Sequence, residues 1–312
     1  MKRIAVMFPG QGSQTVGMGK EFYDQNPNIK NLYEKANEAL QFDIKNLMFN
    51  GPQDQLTATE NAQPALLLSS IAAFTLLEEE EVVPTVAVGH SLGEYSALVA
   101  AKSLTLETAL PLVKMRGQLM ERAFPKGQGS MTAVLGLTEE QIAEVLDQLP
   151  NDYIVDIANL NCPGQIVISG EVAGLEEAEK LLTEAGARRV IRLNVSGPFH
   201  SRLMKKANSD FEAYVNKIAF KDAEIPVYAN VSAKPVTDQE QIKDLLLKQL
   251  YSPVRFEQSI VNMLDENIDA FVEVGNGRVL SGLVRKINRK VKTFSVQDPK
   301  SLEQFLQWYR EE

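Results

Sequence analysis

Gly89-His90-Ser91-Leu92-Gly93 is a G-x-S-x-G pentapeptide, and its flanks decide the fold. Upstream, Val82 to Val88 is rich in β-branched residues and predicts a buried strand. Downstream, Glu94 to Ala101 predicts a helix. A strand, a tight turn flanked by glycines and then a helix is the context that turns this pattern into a nucleophile elbow. The glycines suit a strained turn in which backbone packs closely on both sides and a Cβ would clash. Ser91 then stands at a helix N-terminus, where free N–H groups and the helix dipole favour developing negative charge.

Working outward, Lys2 to Phe8 predicts a strand, followed by the glycine-rich loop Pro9 to Gly19. That loop fails the dinucleotide fingerprint, because Thr15 stands where the third glycine belongs, and no P-loop register fits. Two uses remain: backbone N–H groups brought close to a reacting centre, or a plain strand-to-helix turn. Residues 20 to 80 are mostly helical by periodicity, with breaks at Asn50-Gly51-Pro52 and Gln63-Pro64. Pro64 is expected to open the apolar helix at its first position, where a missing N–H costs nothing. The acidic run Glu78 to Glu81 is expected to be a solvated surface. Leu104 to Arg122 predicts a helix carrying Lys114, Arg116 and Arg122.

Beyond the linker Pro125 to Gly129 the pattern changes. Ser130 to Leu135, Tyr153 to Leu160, Gln165 to Ser169 and Arg188 to Val195 predict strands. Thr138 to Leu149 and Leu175 to Ala185 predict helices, the first capped by Thr138. The β-α-β-β-α-β order is that of the ferredoxin-like split motif. A small domain over 125–197 is therefore expected, inserted between the halves 1–124 and 198–312 of a larger one. In the second half, Val227 to Val231 and Ala270 to Val274 predict strands, and Gly275-Asn276-Gly277 turns into a helix from Val279 to Asn288. The class is α/β.

The chain has 312 residues, 44% hydrophobic and 23% charged, the balance of an ordinary globular protein able to build a large core. A net charge of −9 argues against general nucleic-acid binding. The single cysteine, Cys162, excludes an internal disulfide, fits a reducing compartment and is expected to be an inert thiol. No signal peptide is read at the start. Pro64 to Leu77 is too short and too interrupted by serine to span a bilayer. A cytoplasmic monomer with no membrane partner is expected.

A serine nucleophile needs a base within hydrogen-bond reach, and the chain holds two histidines. His90 adjoins Ser91, and neighbours at such a turn point apart, so His90 is expected to support the elbow. His200, in Ser196-Gly197-Pro198-Phe199-His200-Ser201, is the expected base, able to take and return a proton near neutral pH. The group that orients its imidazole stays open: Asp210 follows closely, and so do several neutral hydrogen-bonding groups. With two histidines, one cysteine and no ligand-spaced cluster, neither a metal nor another cofactor is expected.

Five motifs occur in order: Gly10-Gln11-Gly12-Ser13-Gln14, Gln63-Pro64-Ala65-Leu66, Gly89-His90-Ser91-Leu92-Gly93-Glu94-Tyr95, Gly197-Pro198-Phe199-His200-Ser201 and Gln249-Leu250-Tyr251-Ser252-Pro253-Val254. In these, from residue 4 to about residue 290, the chain resembles the malonyl-CoA:acyl carrier protein transacylases, which supply malonyl units to fatty acid and polyketide synthesis. One departure is Asn276 and Arg278, where family members commonly carry proline and lysine. The resemblance implies an α/β-hydrolase-like large domain beside the ferredoxin-like one. It implies Ser91 as nucleophile, His200 as base and the Gln249 backbone carbonyl as the group that holds the histidine. It further implies an oxyanion hole from the N–H groups of Gln11 and Leu92, and Arg116 as the grip on the malonyl carboxylate. Asn161 matches an asparagine that faces the site.

A guanidinium offers a planar fork to a carboxylate, so Arg116 would decide the substrate. Met120, Met131 and Phe199 are candidate pocket walls, equally well explained as core. Malonyl-CoA and acyl carrier protein are the implied partners. Arg188, Arg189 and Arg192 form one candidate docking surface for the carrier, and Arg285, Lys286, Arg289 and Lys290 another; binding of CoA phosphates or plain solvation are the alternatives for either. Rival readings are a serine esterase or thioesterase, a hydrolase that strips acyl groups from carrier proteins, a polyketide-pathway acyltransferase and a non-catalytic docking protein.

Overall fold

Ile4-Ala5-Val6-Met7-Phe8 is five apolar residues in a row, all fully buried, the pattern of a strand covered on both faces. It is β1 of a computed structural model that describes residues 2–311, so the outermost ends of the expected large domain, Met1 and Glu312, lie outside the described residues. The remaining strands are β2 (Val86–Gly89), β3 (Gly129–Leu135), β4 (Val155–Cys162), β5 (Gln165–Glu171), β6 (Arg189–Arg192), β7 (Val227–Tyr228), β8 (Pro235–Val236), β9 (Ala270–Val274) and β10 (Lys292–Val296).

They form two sheets in a mixed α/β architecture. The larger has the order β10-β9-β1-β2-β7-β8, parallel throughout except for the antiparallel β7–β8 pair. In its centre Phe8 lies opposite Gly89, so β1 and β2 end side by side. The glycine-rich loop and the serine turn therefore emerge together, at the carboxyl edge where open parallel sheets bind ligands. Packing there leaves no room for side chains: a Cβ on Gly89 would run into the Gly93 backbone, and one on Gly10 into the His90 carbonyl. The smaller sheet is antiparallel, in the order β4-β5-β3-β6. The helices Glu139–Leu146 and Val172–Glu184 pack on it around Val134, Ile142, Ile168, Leu175 and Leu182. Thr138 caps the first of them with a full capping box. β4 ties the two parts together: Leu160 N–H donates to the Val254 carbonyl at 2.9 Å, and Val254 N–H to the Ala158 carbonyl at 2.8 Å.

Several elements depart from the sequence expectation. Pro64 does not open its helix; it is the sixth residue of Thr59–Glu79. One backbone hydrogen bond, to the Glu60 carbonyl, is forfeited. Burial of nearly every side chain from Ala62 to Leu77 offsets that loss. The strand expected over Val82–Val88 starts only at Val86, because Pro84 has no N–H to give a ladder. The strand expected over Val227–Val231 stops at Tyr228, and the short β8 and the edge strand β10 were not foreseen. Glu78 to Glu81 are exposed, as expected. Among the described residues no helix is long and apolar enough to cross a membrane.

Candidate active site

Ser91 leaves β2 with φ 52°, in the left-handed region that non-glycine residues seldom occupy. The turn is held from below by Asn230, which follows β7: its Oδ1 accepts from Ser91 N–H at 2.8 Å, and its Nδ2 donates to the Gly89 carbonyl at 2.7 Å. The helix Gly93–Ala100 starts two residues later. His200, beyond β6, also has a positive φ, 59°, and is 4% exposed. The Ser201 hydroxyl, donating to the Pro198 carbonyl at 2.6 Å, closes that turn. Two strained residues facing each other is the pattern of a site the surrounding fold over-determines.

Ser91 Oγ and His200 Nε2 are 2.7 Å apart, although the residues lie 109 positions apart in the chain. On the far side of the ring, Nδ1 lies 2.9 Å from the Gln249 backbone oxygen. A carbonyl only accepts, so the proton sits on Nδ1 and Nε2 is left as acceptor for the serine hydroxyl. Burial, and secondarily the charge of Arg116, pushes the His200 pKa down to about 3. The ring is thus neutral and ready to accept a proton throughout the neutral range. Asp210, open as an orienting group from the sequence, makes no part of this arrangement; the neutral carbonyl fills the role.

Arg116, on the helix Leu106–Arg122, is 1% exposed and lies behind the serine. Its Nη1 donates to Gln63 Oε1 at 2.8 Å, and Nη2 donates to Gln249 Oε1 at 2.9 Å and to Ser91 Oγ at 3.2 Å. Its guanidinium carbon lies 5.3 Å from the centroid of the Tyr95 ring, and its Nε has no partner. Every hydrogen-bond partner is neutral. A buried cation so placed, with a donor to spare, is suited to an anion beside the serine hydroxyl.

The cleft above is small, about 170 Å³, and is lined by Gln11, Ser91, Met120, Met131, Phe199 and His200 among others. The three candidate wall residues thus do face it. Gln11 borders it from the glycine-rich loop, and Leu92, 1% exposed, follows Ser91 at the helix start. Larger grooves exist, such as one of about 490 Å³ between Phe22, Leu76 and Leu302, but it presents no serine, cysteine or histidine. Chemistry, not volume, marks the site. Asn161 does not line the cleft: its Oδ1 lies 2.7 Å from His90 Nε2, which gives His90 its expected supporting place, and Asn159 lines the cleft instead.

Sequence reading missed four members of this centre: Gln63, Glu94, Asn230 and the side chain of Gln249. Glu94 is 3% exposed. Its Oε2 accepts from Gln249 Nε2 at 2.7 Å and from Asn230 N–H at 3.1 Å. Burial lifts its pKa to about 7. Polar residues inside otherwise apolar buried runs were the available signal, Gln63 before Pro64 and Glu94 after Gly93. Of the basic clusters, Arg188, Arg189, Arg285, Lys286, Arg289 and Lys290 are exposed, whereas Arg192 is paired with Glu179 at 2.7 Å. Cys162 is buried, and burial raises its pKa, as suits an unreactive thiol. Among the described residues no cluster suited to hold a metal ion is found.

Comparison with known proteins places the chain among acyltransferases. The family profile of the acyl transferase domain matches residues 6–301. A malonyl CoA-acyl carrier protein transacylase of Bacillus subtilis (strain 168) is 49% identical over 313 residues, 100% of this chain and 99% of the relative. Among solved structures, an acyl carrier protein S-malonyltransferase of Vibrio cholerae is 39% identical with a TM-score of 0.95, covering 97% of this chain and 100% of that one. A malonyl-transacylase solved with a type II polyketide acyl carrier protein is 36% identical with a TM-score of 0.96, covering 98% and 99%.

Proposed function

The chain belongs to the acyl transferase family of malonyl-CoA:acyl carrier protein transacylases, and we infer from that premise how its residues share the work. It is an acyltransferase that moves a malonyl group from malonyl-CoA to the pantetheine thiol of acyl carrier protein, feeding fatty acid biosynthesis. The observation that carries the substrate is Arg116: a buried guanidinium on neutral partners, 3.2 Å from the hydroxyl that would be acylated.

In this reading the malonyl carboxylate rests on Arg116 and its thioester carbon meets Ser91 Oγ. His200 Nε2 takes the hydroxyl proton as the Oγ–C bond forms. The oxyanion is received by the N–H groups of Gln11 and Leu92. What supports that assignment is the close packing of the first loop on the turn and the place of Leu92 at a helix start. Collapse breaks the C–S bond, and the proton on His200 passes to the departing thiolate. The carrier's thiol then reverses the steps, so the kinetics are ping-pong.

The low basicity of His200 gives substrate selection a second lever. The Arg116 charge is one of its causes, and a carboxylate on Arg116 offsets that charge. A malonyl substrate therefore makes the base stronger as it binds, and an acetyl substrate does not.

We further propose an α/β-hydrolase-like large domain over 1–124 and 198–312 and a ferredoxin-like domain over 125–197. The strand order β4-β5-β3-β6, with two helices on one face, supports the latter. A cytoplasmic location belongs to the same proposal. Asn161 is reassigned within it from substrate contact to support of His90, on the strength of their 2.7 Å contact.

A carrier-directed hydrolase would share the serine and the histidine but hand the acyl group to water. Malonylated protein, freed of malonyl-CoA and mixed with pantetheine-bearing carrier protein, is expected to pass its malonyl group to the carrier at least 100-fold faster than buffer alone removes it (an order-of-magnitude expectation from nucleophile strength, about 2–3 kcal/mol). Equal rates of loss with and without carrier would favour the hydrolase.

A further inference from the structure

We propose that Glu94 shares the buried Arg116 guanidinium with the substrate's carboxylate, so that loading a malonyl group draws one proton onto Glu94. This rests on the reading of Arg116 as the malonyl grip. Glu94 and Arg116 are both buried, and one amide joins them: Gln249 Nε2 donates to Glu94 Oε2 at 2.7 Å while its Oε1 accepts from Arg116 at 2.9 Å. A carboxylate can only accept and a guanidinium can only donate, so the two charges fix which way the amide points. The backbone oxygen of the same Gln249 holds His200 Nδ1. Glu94 is therefore a positioning residue for both the grip and the base.

Before substrate arrives, and above about pH 7, one anion and one cation balance inside the protein. A malonyl carboxylate on Arg116 adds a second anion beside two buried charged groups, and an uncompensated buried charge is strongly disfavoured. A proton on Glu94 restores neutrality at little structural expense. Both of its hydrogen bonds fall on Oε2, so a proton on Oε1 displaces neither.

The other groups facing Glu94 do not titrate in the same range. Arg116 stays charged. The Tyr95 phenol, next to it on the same helix, is pushed upward by burial. His200 is held down at about 3. The partners from the helix Gln239–Gln249 and from the residues after β7 are the neutral Gln249 and Asn230. Glu94, standing at about 7 in the free protein, is the group that can respond near neutral pH.

The sign follows. A second anion favours the protonated form, so Glu94 has a higher pKa with malonyl bound than without. Below about pH 7 Glu94 already carries its proton and binding is indifferent to pH. Above it each malonyl group bound takes up a proton, and the KM for malonyl-CoA rises toward about tenfold per pH unit. Acetyl-CoA carries the same CoA phosphates but no carboxylate, so the ratio of the two KM values isolates the effect.

The test measures KM for Ser91 acylation by both thioesters from pH 6 to 9, in wild type and in Glu94→Gln, which keeps the shape and the accepting oxygen. The malonyl-to-acetyl KM ratio is expected to climb at least tenfold across that range in wild type and to stay within about twofold in E94Q. A flat wild-type ratio, or an E94Q ratio that climbs as steeply, would overturn the proposal.

Calorimetry keeps the question decidable if E94Q does not fold. Malonyl-CoA is bound to Ser91→Ala at pH 8 in two buffers of different ionisation enthalpy. Uptake of close to one proton with malonyl-CoA and none with acetyl-CoA is expected; equal uptake with the two ligands would overturn it. Arg116→Ala separates the two layers. If that variant still prefers malonyl-CoA, the reading of Arg116 fails and Glu94 with it. If preference is lost while the wild-type ratio is flat, only the Glu94 proposal fails.

Discussion

His200→Ala is expected to slow acylation of Ser91 by malonyl-CoA about 10²–10⁴-fold, the usual worth of a positioned general base. The serine keeps its place without the imidazole, because Asn230 and Gly93 fix the turn independently of His200. KM should therefore move much less than kcat, since Arg116 and the cleft walls remain. Because His200 stands at about 3, the wild-type acylation rate constant at saturating malonyl-CoA should not fall between pH 8 and pH 6 for want of a neutral base. Stopped-flow mass analysis of acyl-Ser91 across that range reads both quantities. A drop centred near pH 6.5 would contradict a histidine whose basicity is held down chiefly by burial.

Arg116→Ala is the second large effect, and it is an effect on choice rather than on speed alone. Two charge-assisted hydrogen bonds to a carboxylate, each worth roughly 1.5–3 kcal/mol, correspond to a loss of about 10²–10⁴ in kcat/KM for malonyl-CoA. Acetyl-CoA makes no such bonds, so its loading should fall far less than that of malonyl-CoA. Arg116→Lys keeps a charge without the planar fork and should recover only part of the malonyl rate. Competition between the two thioesters for the same protein, read as the ratio of malonyl to acetyl adduct, checks this directly. An unchanged ratio in Arg116→Ala would remove Arg116 from substrate selection.

The α/β class was legible because strong local signals coincide: an unbroken apolar run in β1, glycines on either side of Ser91, and a capping residue at Thr138. Element ends were less so. Pro64 misled because tertiary burial of the Thr59–Glu79 helix outweighs one lost backbone bond. The edge strand β10 gave little signal because most of its side chains are only half-buried. Ser91 and His200 could be singled out because their residue types carry chemistry by themselves, whereas Arg116, one charge among several on its helix, stood out only through the family resemblance.

The polar layer beneath them could not. Gln63, Glu94, Asn230 and the Gln249 amide come from four separate segments, and they matter through one another: Gln249 spans 155 positions to reach Glu94 and 133 to reach Arg116. Nothing local to any of them shows that an anion and a cation are buried one amide apart. Asn161 illustrates the same limit, since the face a side chain takes on β4 follows from the register of the strand, which turns Asn161 to His90 and Asn159 to the cleft.

The central claim is that Ser91 carries a malonyl group between two thiols and that Arg116 chooses it. Intact-mass measurement after brief mixing of the wild-type protein with malonyl-CoA, and separately with acetyl-CoA, tests it most directly, with Ser91→Ala as the control. One malonyl group per chain, located at Ser91, persisting in buffer and formed far faster than the acetyl adduct, is the predicted result. Adducts that form equally with either thioester, or a malonyl adduct that survives in Ser91→Ala, would contradict the account.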